Sequence, residues 1–204
     1  MGENKIEKEA LLKSLAENGY NIGIGAKRHL KSYDILSGVP RLLSFILICI
    51  GIIQMTSLYK DQFSSINDII SVILIIAGII ALVADLSSEN KEEFNNKGVM
   101  LIELFNELRD IYNQVQKLDD NDLLSLEKKR MREIVEIASQ NSISRQIWFS
   151  NWWAHFGFFY EMQIDWINNE LKFKFWRDKV PATLKFVFFM IIVGYIINKI
   201  RLVI

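Results

Sequence analysis

The sequence is poor in the residues that build catalytic and metal sites. It contains one cysteine, Cys49, and two histidines, His29 and His155. A single cysteine excludes an intramolecular disulfide, and neither histidine has a Cys, Asp or Glu at metal-ligand spacing. Its 24 basic side chains are balanced by 24 acidic ones, so general attraction to nucleic acid has no support. We therefore predict a protein that is not an enzyme, holds no metal or cofactor, and does not bind nucleic acid directly.

Strand signals are also missing. No segment alternates strictly between apolar and polar residues, Gly-containing turn pairs are few, and proline occurs twice. The predicted fold class is all α. The first forty residues lack a leading apolar region, so we expect no cleavable signal peptide.

Two apolar runs, with charges only near their ends, follow each other closely. Residues 39–58 include "LLSFILICIGIIQ", and residues 66–86 read "INDIISVILIIAGIIALVADL". Each run reaches the length of about 20 residues that a helix needs to span a bilayer. The connection "YKDQFSS" is long enough to reverse the chain and too short for a domain. We predict an integral membrane protein with a transmembrane hairpin over residues 39–88.

Basic residues give the hairpin an orientation. A basic collar before the first run consists of Lys27, Arg28, Lys31 and Arg41, whereas the connection between the runs offers Lys60 beside Asp61. The positive-inside rule then places the N-terminus, residues 1–38, in the cytoplasm, and we interpret the collar as a site for anionic headgroups. Lys174, Arg177 and Lys179 extend the collar before a third apolar run. We predict that residues 180–204 form a third membrane helix; the alternatives are a helix lying on the membrane or packed in the soluble part.

Residues 89–179 are predicted to form a cytoplasmic bundle of long amphipathic helices. One helix is indicated by an apolar stripe and a second by a shorter one; the two sets are Leu101, Leu104, Leu108, Ile111, Val115 and Leu118, and Leu126, Met131, Ile134 and Ala138. A third helix carries two aromatic stripes, which are Trp148, Trp152, His155, Phe159, Met162 and Trp166, and Phe149, Trp153, Phe156 and Tyr160. Two stripes predict burial against more than one surface, with docking at the membrane interface and stacking on nucleobases as alternatives. "YNIGIGAKRH" lacks the rest of a nucleotide fingerprint, so we interpret its glycines as a helix break after "ENG".

Small and polar residues share one face in each predicted span. The first face includes Ser44, Gly51 and Gln54, and the second Asn67, Ser71, Gly78 and Asp85. Such faces let two helices approach and hydrogen-bond. The alternative is that one face lines a water-filled path in an oligomer, with rings of Asn67, Asp68 and Asp85 at its mouths that favour cations.

Several segments together resemble a known family. The basic stretch "AKRHLKSYDILSGVP" before two membrane helices, then "LFNELRDIY", then "QIWFSNWWAHFGFFYEMQIDWINNELKFKFWRDKVP", are similar to bacterial SLATT domain proteins. The resemblance implies a membrane effector of conflict systems, often encoded beside enzymes that make or sense nucleotide messengers.

The resemblance also implies partners and a place in the cell. We expect a multi-pass protein of the bacterial inner membrane that assembles as a homo-oligomer and forms a pore in the lipid bilayer or disrupts it. Its trigger is then an operon-encoded nucleotide-signalling or sensor protein. The alternative function is a non-conducting anchor or adaptor that recruits a cytoplasmic enzyme.

Overall fold

The computed structural model describes residues 2–56, 59, 63–86, 91–118, 121–141, 147 and 149–201. The helices in these ranges are α1 (Gly2–Gln54), α2 (Asn67–Leu86), α3 (Lys91–Lys117), α4 (Asn121–Gln140), α5 (Ser150–Glu161), α6 (Asp165–Leu171) and α7 (Ala182–Arg201). A 3-10 turn, Ser64–Ile66, precedes α2, and a π-helical turn, Phe175–Lys179, precedes α7. No strand occurs in the described ranges, and the predicted all-α class is confirmed.

Helix α1 is the axis of the molecule. Its first half packs against α3, α5 and α6, and its second half packs against α2. Leu15, Ala16 and Ala26 in the first half are fully buried. The helix also continues through Pro40. The predicted boundary between residues 38 and 39 therefore lies inside one helix, and where lipid begins along it stays a prediction.

The predicted helix break after "ENG" is wrong, because α1 is continuous there. Gly23 has a packing role instead. A Cβ atom at this position would lie 2.6 Å from Phe158 Cε2 and 3.1 Å from Phe105 Cδ2. The missing side chain thus lets two aromatic rings, from α5 and α3, reach the backbone of α1.

The apolar stripe predicted for α3 is confirmed. Leu101, Leu104, Leu108, Ile111 and Val115 are all buried, and Leu118, one residue past the end of the helix, is partly buried. On the same helix Tyr112 donates a hydrogen bond of 2.8 Å to Glu170 Oε1 on α6. Burial and this bond raise the pKa of Tyr112 to about 12, so the phenol stays protonated and keeps α3 attached to α6.

The stripe predicted for α4 is confirmed except at one position. Met131, Ile134 and Ala138 are buried, but Leu126 is 51% exposed. The buried positions recur as 124, 127, 131, 134 and 138, which leaves 126 off the stripe. Glu127 occupies the stripe and is neutralised by Arg130, at 3.0 Å between Nη1 and Oε2.

The predicted helix with two aromatic stripes is interrupted: residues 162–164 separate it into α5 and α6. Of the first stripe, Phe159 and Trp166 are buried. Trp148 lies outside the described residues. The predicted burial of the second stripe is wrong, since its members are more than half exposed: Phe149, Trp153, Phe156 and Tyr160. Because α5 packs mainly against α1, one face of it is left open.

Candidate functional site

The second half of α1 and all of α2 form a hairpin whose outer surface is apolar. On α1 the exposed side chains include Leu42, Phe45, Ile48, Ile52 and Ile53, and on α2 they include Ile69, Val72, Ile73, Ile75, Ile76, Ile79 and Ile80. In the first half of α1 the large apolar residues are mostly buried instead. The hairpin thus shows apolar residues outward over a continuous surface, which soluble monomers rarely do.

Length and composition single out one helix within the described part of the chain. The segment Lys5–Gln54 is long and apolar enough to cross a membrane. Shorter apolar stretches, Asn67–Val83 and Ala182–Tyr195, lie in α2 and α7. By this criterion α1 carries the strongest membrane signal.

The inner face of the hairpin contains half of the residues predicted to line a pore or pack helices. Gly78 faces Leu47, since a Cβ on Gly78 would lie 3.9 Å from Leu47 Cδ1. Asn67 and Ser71 are half-buried on the same face of α2. These contacts are the ones that the packing alternative requires. Pore lining stays a prediction for the assembled state.

A hydrogen-bonded chain closes the loop end of the hairpin. Gln54 Nε2 donates to Tyr59 Oη at 3.4 Å, and Tyr59 donates to Asn67 Oδ1 at 3.1 Å. Tyr59 is buried and its ring stacks on Phe63. The sequence pattern alone does not predict this link. The two predicted polar residues are therefore joined through a third.

The other candidates of the hairpin that the structure describes lie at more open positions. Ser44 is exposed, and its hydroxyl donates to the backbone oxygen of Pro40 at 2.9 Å. Gly51 has open space where a side chain would be, and Asp68 is exposed in the first turn of α2. The side chain of Asp85 lies outside the described residues.

Two lysines of the predicted collar are engaged inside the protein. Lys27 Nζ lies 2.8 Å from Glu161 Oε2, and Lys31 Nζ lies 3.4 Å from Glu161 Oε1 and 3.5 Å from Asp34. The hydrogen bond from Lys27 holds the pKa of Glu161 below its ordinary value. These contacts attach α5 to α1. Headgroup binding by the two lysines stays a prediction, and it has to compete with Glu161.

The other collar residues lie in two places. Arg41 is exposed at the end of the hairpin nearest the bundle, and Lys174 is exposed in the segment before α7. Arg177 Nε donates to Asp178 Oδ1 at 2.9 Å. Lys179 is half-buried at the end of the π-helical turn. Arg28 lines a cavity together with Arg177, and headgroup binding by either arginine stays a prediction.

Helix α7 begins beside a part of α1 that lies well before Val39, the predicted start of the first membrane span. Thr183 Oγ1 accepts a hydrogen bond of 2.6 Å from Trp152 Nε1 of α5, and the first turn of α7 lines a cavity with Tyr20 and Arg28 of α1. Arg28 precedes Val39 by 11 residues, which is about 16 Å along a helix. Most of the apolar side chains that the structure describes on α7 are exposed; they include Phe186, Phe188, Phe189, Ile191, Ile192 and Tyr195. A third span stays a prediction.

The comparisons with known proteins agree with this helix plan. A family model described as "SMODS and SLOG-associating 2TM effector domain 6" matches residues 6–188. The match covers the bundle and both helices of the hairpin, and it ends within α7. No curated protein matches the chain, and no solved structure matches it.

Proposed function

Since the chain belongs to the SLATT family of two-transmembrane effector domains of conflict systems, we propose that it is a pore-forming effector of bacterial antiviral defence. It sits in the inner membrane with its N-terminus in the cytoplasm. It assembles as a homo-oligomer when a partner that senses infection or a nucleotide signal activates it. The outward apolar surface of the hairpin is the observation that carries this proposal.

The two spans named by the family are assigned to the second half of α1 and to α2. Both expose isoleucine, leucine and phenylalanine away from their mutual contact, which suits lipid or the same surface of another copy. The bundle that the first half of α1 forms with α3, α4, α5 and α6 has an ordinary buried core instead. The border between these two environments supports a membrane surface near residues 38–41.

Conduction requires several copies. Within one chain the two hairpin helices touch at points such as Gly78 against Leu47, and two helices alone are too few to enclose an aqueous path. Any aqueous path therefore runs between hairpins. Asp68 is exposed at the end of α2 near the connecting loop, so copies arranged in a ring would place carboxylates at the mouth of such a path and favour cations.

Activation has a direct route from the bundle to the spans. Because α1 is one helix from Gly2 to Gln54, a displacement of its first half also moves its second half. A partner that binds the bundle more tightly in one arrangement than in the other shifts the population towards that arrangement. The partner in this proposal is the operon-encoded sensor protein that the family context implies.

Ion flux into liposomes tests the proposal. The purified chain, with and without the product of the neighbouring gene, is reconstituted and the permeability to cations and anions is measured. We expect Asp68→Asn to reduce the cation preference severalfold, because a ring of negative charge is lost. The control is Glu92→Gln, which removes an equally exposed carboxylate in the first turn of α3.

Two results would contradict the proposal. Vesicles that stay sealed under both conditions indicate the anchor or adaptor alternative. If Asp68→Asn and Glu92→Gln change the ion selectivity equally, Asp68 does not lie at the mouth of the conducting path.

A further inference from the structure

A basic cavity lies on the cytoplasmic side of the hairpin, between α1, α5 and the chain that leads into α7. Its volume is about 460 Å³, which is within the range of small-ligand sites. The charged residues that the described lining contains are Arg28, Arg177, Lys185 and Asp178. Three cations against one carboxylate leave an excess of positive charge.

The carboxylate in the cavity is already satisfied. Asp178 accepts hydrogen bonds from Arg177 Nε at 2.9 and 3.0 Å and from the backbone N–H of Lys174 at 2.8 Å. The Arg177 pair lowers the pKa of Asp178, so the carboxylate is ionised and neutralises one cation. Lys185 also acts on this carboxylate electrostatically, whereas Arg28 has no ion pair with a carboxylate among the described lining residues.

Arg28 is the clearest sign that a ligand is expected. Its Nε atom is buried and makes no hydrogen bond with any described part of the chain. A buried, charged donor without an acceptor is costly. An anion in the cavity would supply the missing acceptor.

The surroundings favour an anion that carries several acceptor oxygens. Lys185 Nζ uses one N–H on the backbone oxygen of Arg177, at 3.1 Å, and keeps two. The first turn of α7 lines the same cavity, and the N–H groups there have no partner within the helix. Arginine, lysine and a helix N-terminus are together a typical environment for phosphate.

Neutral groups complete the wall. Burial raises the pKa of Tyr20, so its phenol is a hydrogen-bond donor. Burial also lowers the pKa of His155, as do the charges of Lys185 and Arg28, while the backbone oxygens of Asp178 and Lys179 oppose the shift. The histidine adds no positive charge near neutral pH.

We propose that this cavity binds a phosphate group, held by Arg28 and Lys185 at the start of α7. The ligand is either a soluble phosphate ester or a phospholipid headgroup. Bound there, it would bridge α1 and α7 and fix the position of the last helix against the bundle. The proposal does not depend on pore formation.

Binding can be measured on the full chain in maltoside detergent, which carries no phosphate. Thermal unfolding is followed in inorganic phosphate, and in sodium chloride of equal ionic strength to remove general salt effects. A second arm uses short-chain phosphatidylglycerol as the probe. We expect one probe to raise the unfolding temperature in a saturable way, and Arg28→Gln to weaken its apparent affinity at least about tenfold.

Two further variants keep the result interpretable. Lys185→Gln lies outside the bundle core and should weaken binding even if Arg28→Gln impairs folding. Arg132→Gln removes an exposed arginine from α4 and should leave binding unchanged. A response to inorganic phosphate identifies a soluble source, and a response to phosphatidylglycerol alone identifies a headgroup. If neither probe binds, or if Arg132→Gln weakens binding as much as the two cavity variants, the proposal is wrong.

Discussion

Replacing Gly23 with alanine is expected to lower the free energy of unfolding of the bundle by about 1–3 kcal/mol. The added methyl group would meet the ring of Phe158 at 2.6 Å and that of Phe105 at 3.1 Å. Both rings are buried, so neither can move without displacing its own neighbours. Chemical unfolding in detergent, followed by circular dichroism, measures the loss.

Gly25 provides the matched control. It lies two residues away in the same helix, and a Cβ there would meet Leu101 Cδ1 at an ordinary 3.8 Å. Gly25→Ala should be neutral, or stabilising by up to about 1 kcal/mol, because alanine is the better helix former. Equal free energies of unfolding for the two variants would show that the rings of Phe158 and Phe105 do not pack closely on Gly23.

Arginine in place of Ile76 is expected to raise the apparent free energy of membrane insertion by about 2.5–3.5 kcal/mol. Ile76 is 51% exposed near the middle of α2. If lipid surrounds this helix, the charge lies at the depth where it is most costly. The fraction of chain that inserts into membranes, and then resists alkaline extraction, gives the measurement.

Ile137→Arg is the corresponding control on α4. Ile137 is 40% exposed, but we expect water around it, and surface substitutions of this kind usually change stability by less than about 0.5 kcal/mol. An equal effect of arginine at both positions would argue that α2 is no more surrounded by lipid than α4.

Periodicity predicted those parts of the fold in which one face of a long helix is buried. Leu108 and Val115 on α3 follow from spacing alone, because the stripe extends over several turns. Leu126 shows the limit of this method. The stripe of α4 is short, so either position 126 or position 127 could belong to it, and a glutamate at 127 argues against burial although Glu127 is the buried residue. The aromatic stripes predicted burial less well. Spacing does not distinguish a helix face that packs from one that stays exposed, such as the face of Trp153.

The misinterpretations concern contacts between distant residues. Glycine is typical of helix breaks, and nothing near Gly23 in the sequence indicates that Phe158 packs on it. In the same way, the pairing of Lys27 with Glu161 joins residues 134 positions apart. The cavity around Arg28 also combines three separate elements. Its one signal in the sequence was the basic pair after Gly25, which was assigned to a collar on the membrane surface and not to a cavity.

Accessibility of spin labels on the two isoleucine positions tests the central claim most directly. Cys49 is the only cysteine in the sequence, so Cys49→Ala gives a background for Ile76→Cys and, separately, Ile137→Cys. With the chain reconstituted in liposomes, the label at 76 should collide often with oxygen and rarely with a water-soluble nickel chelate, and the label at 137 should show the reverse. Equal, high collision rates with the chelate at both positions would contradict a hairpin surrounded by lipid.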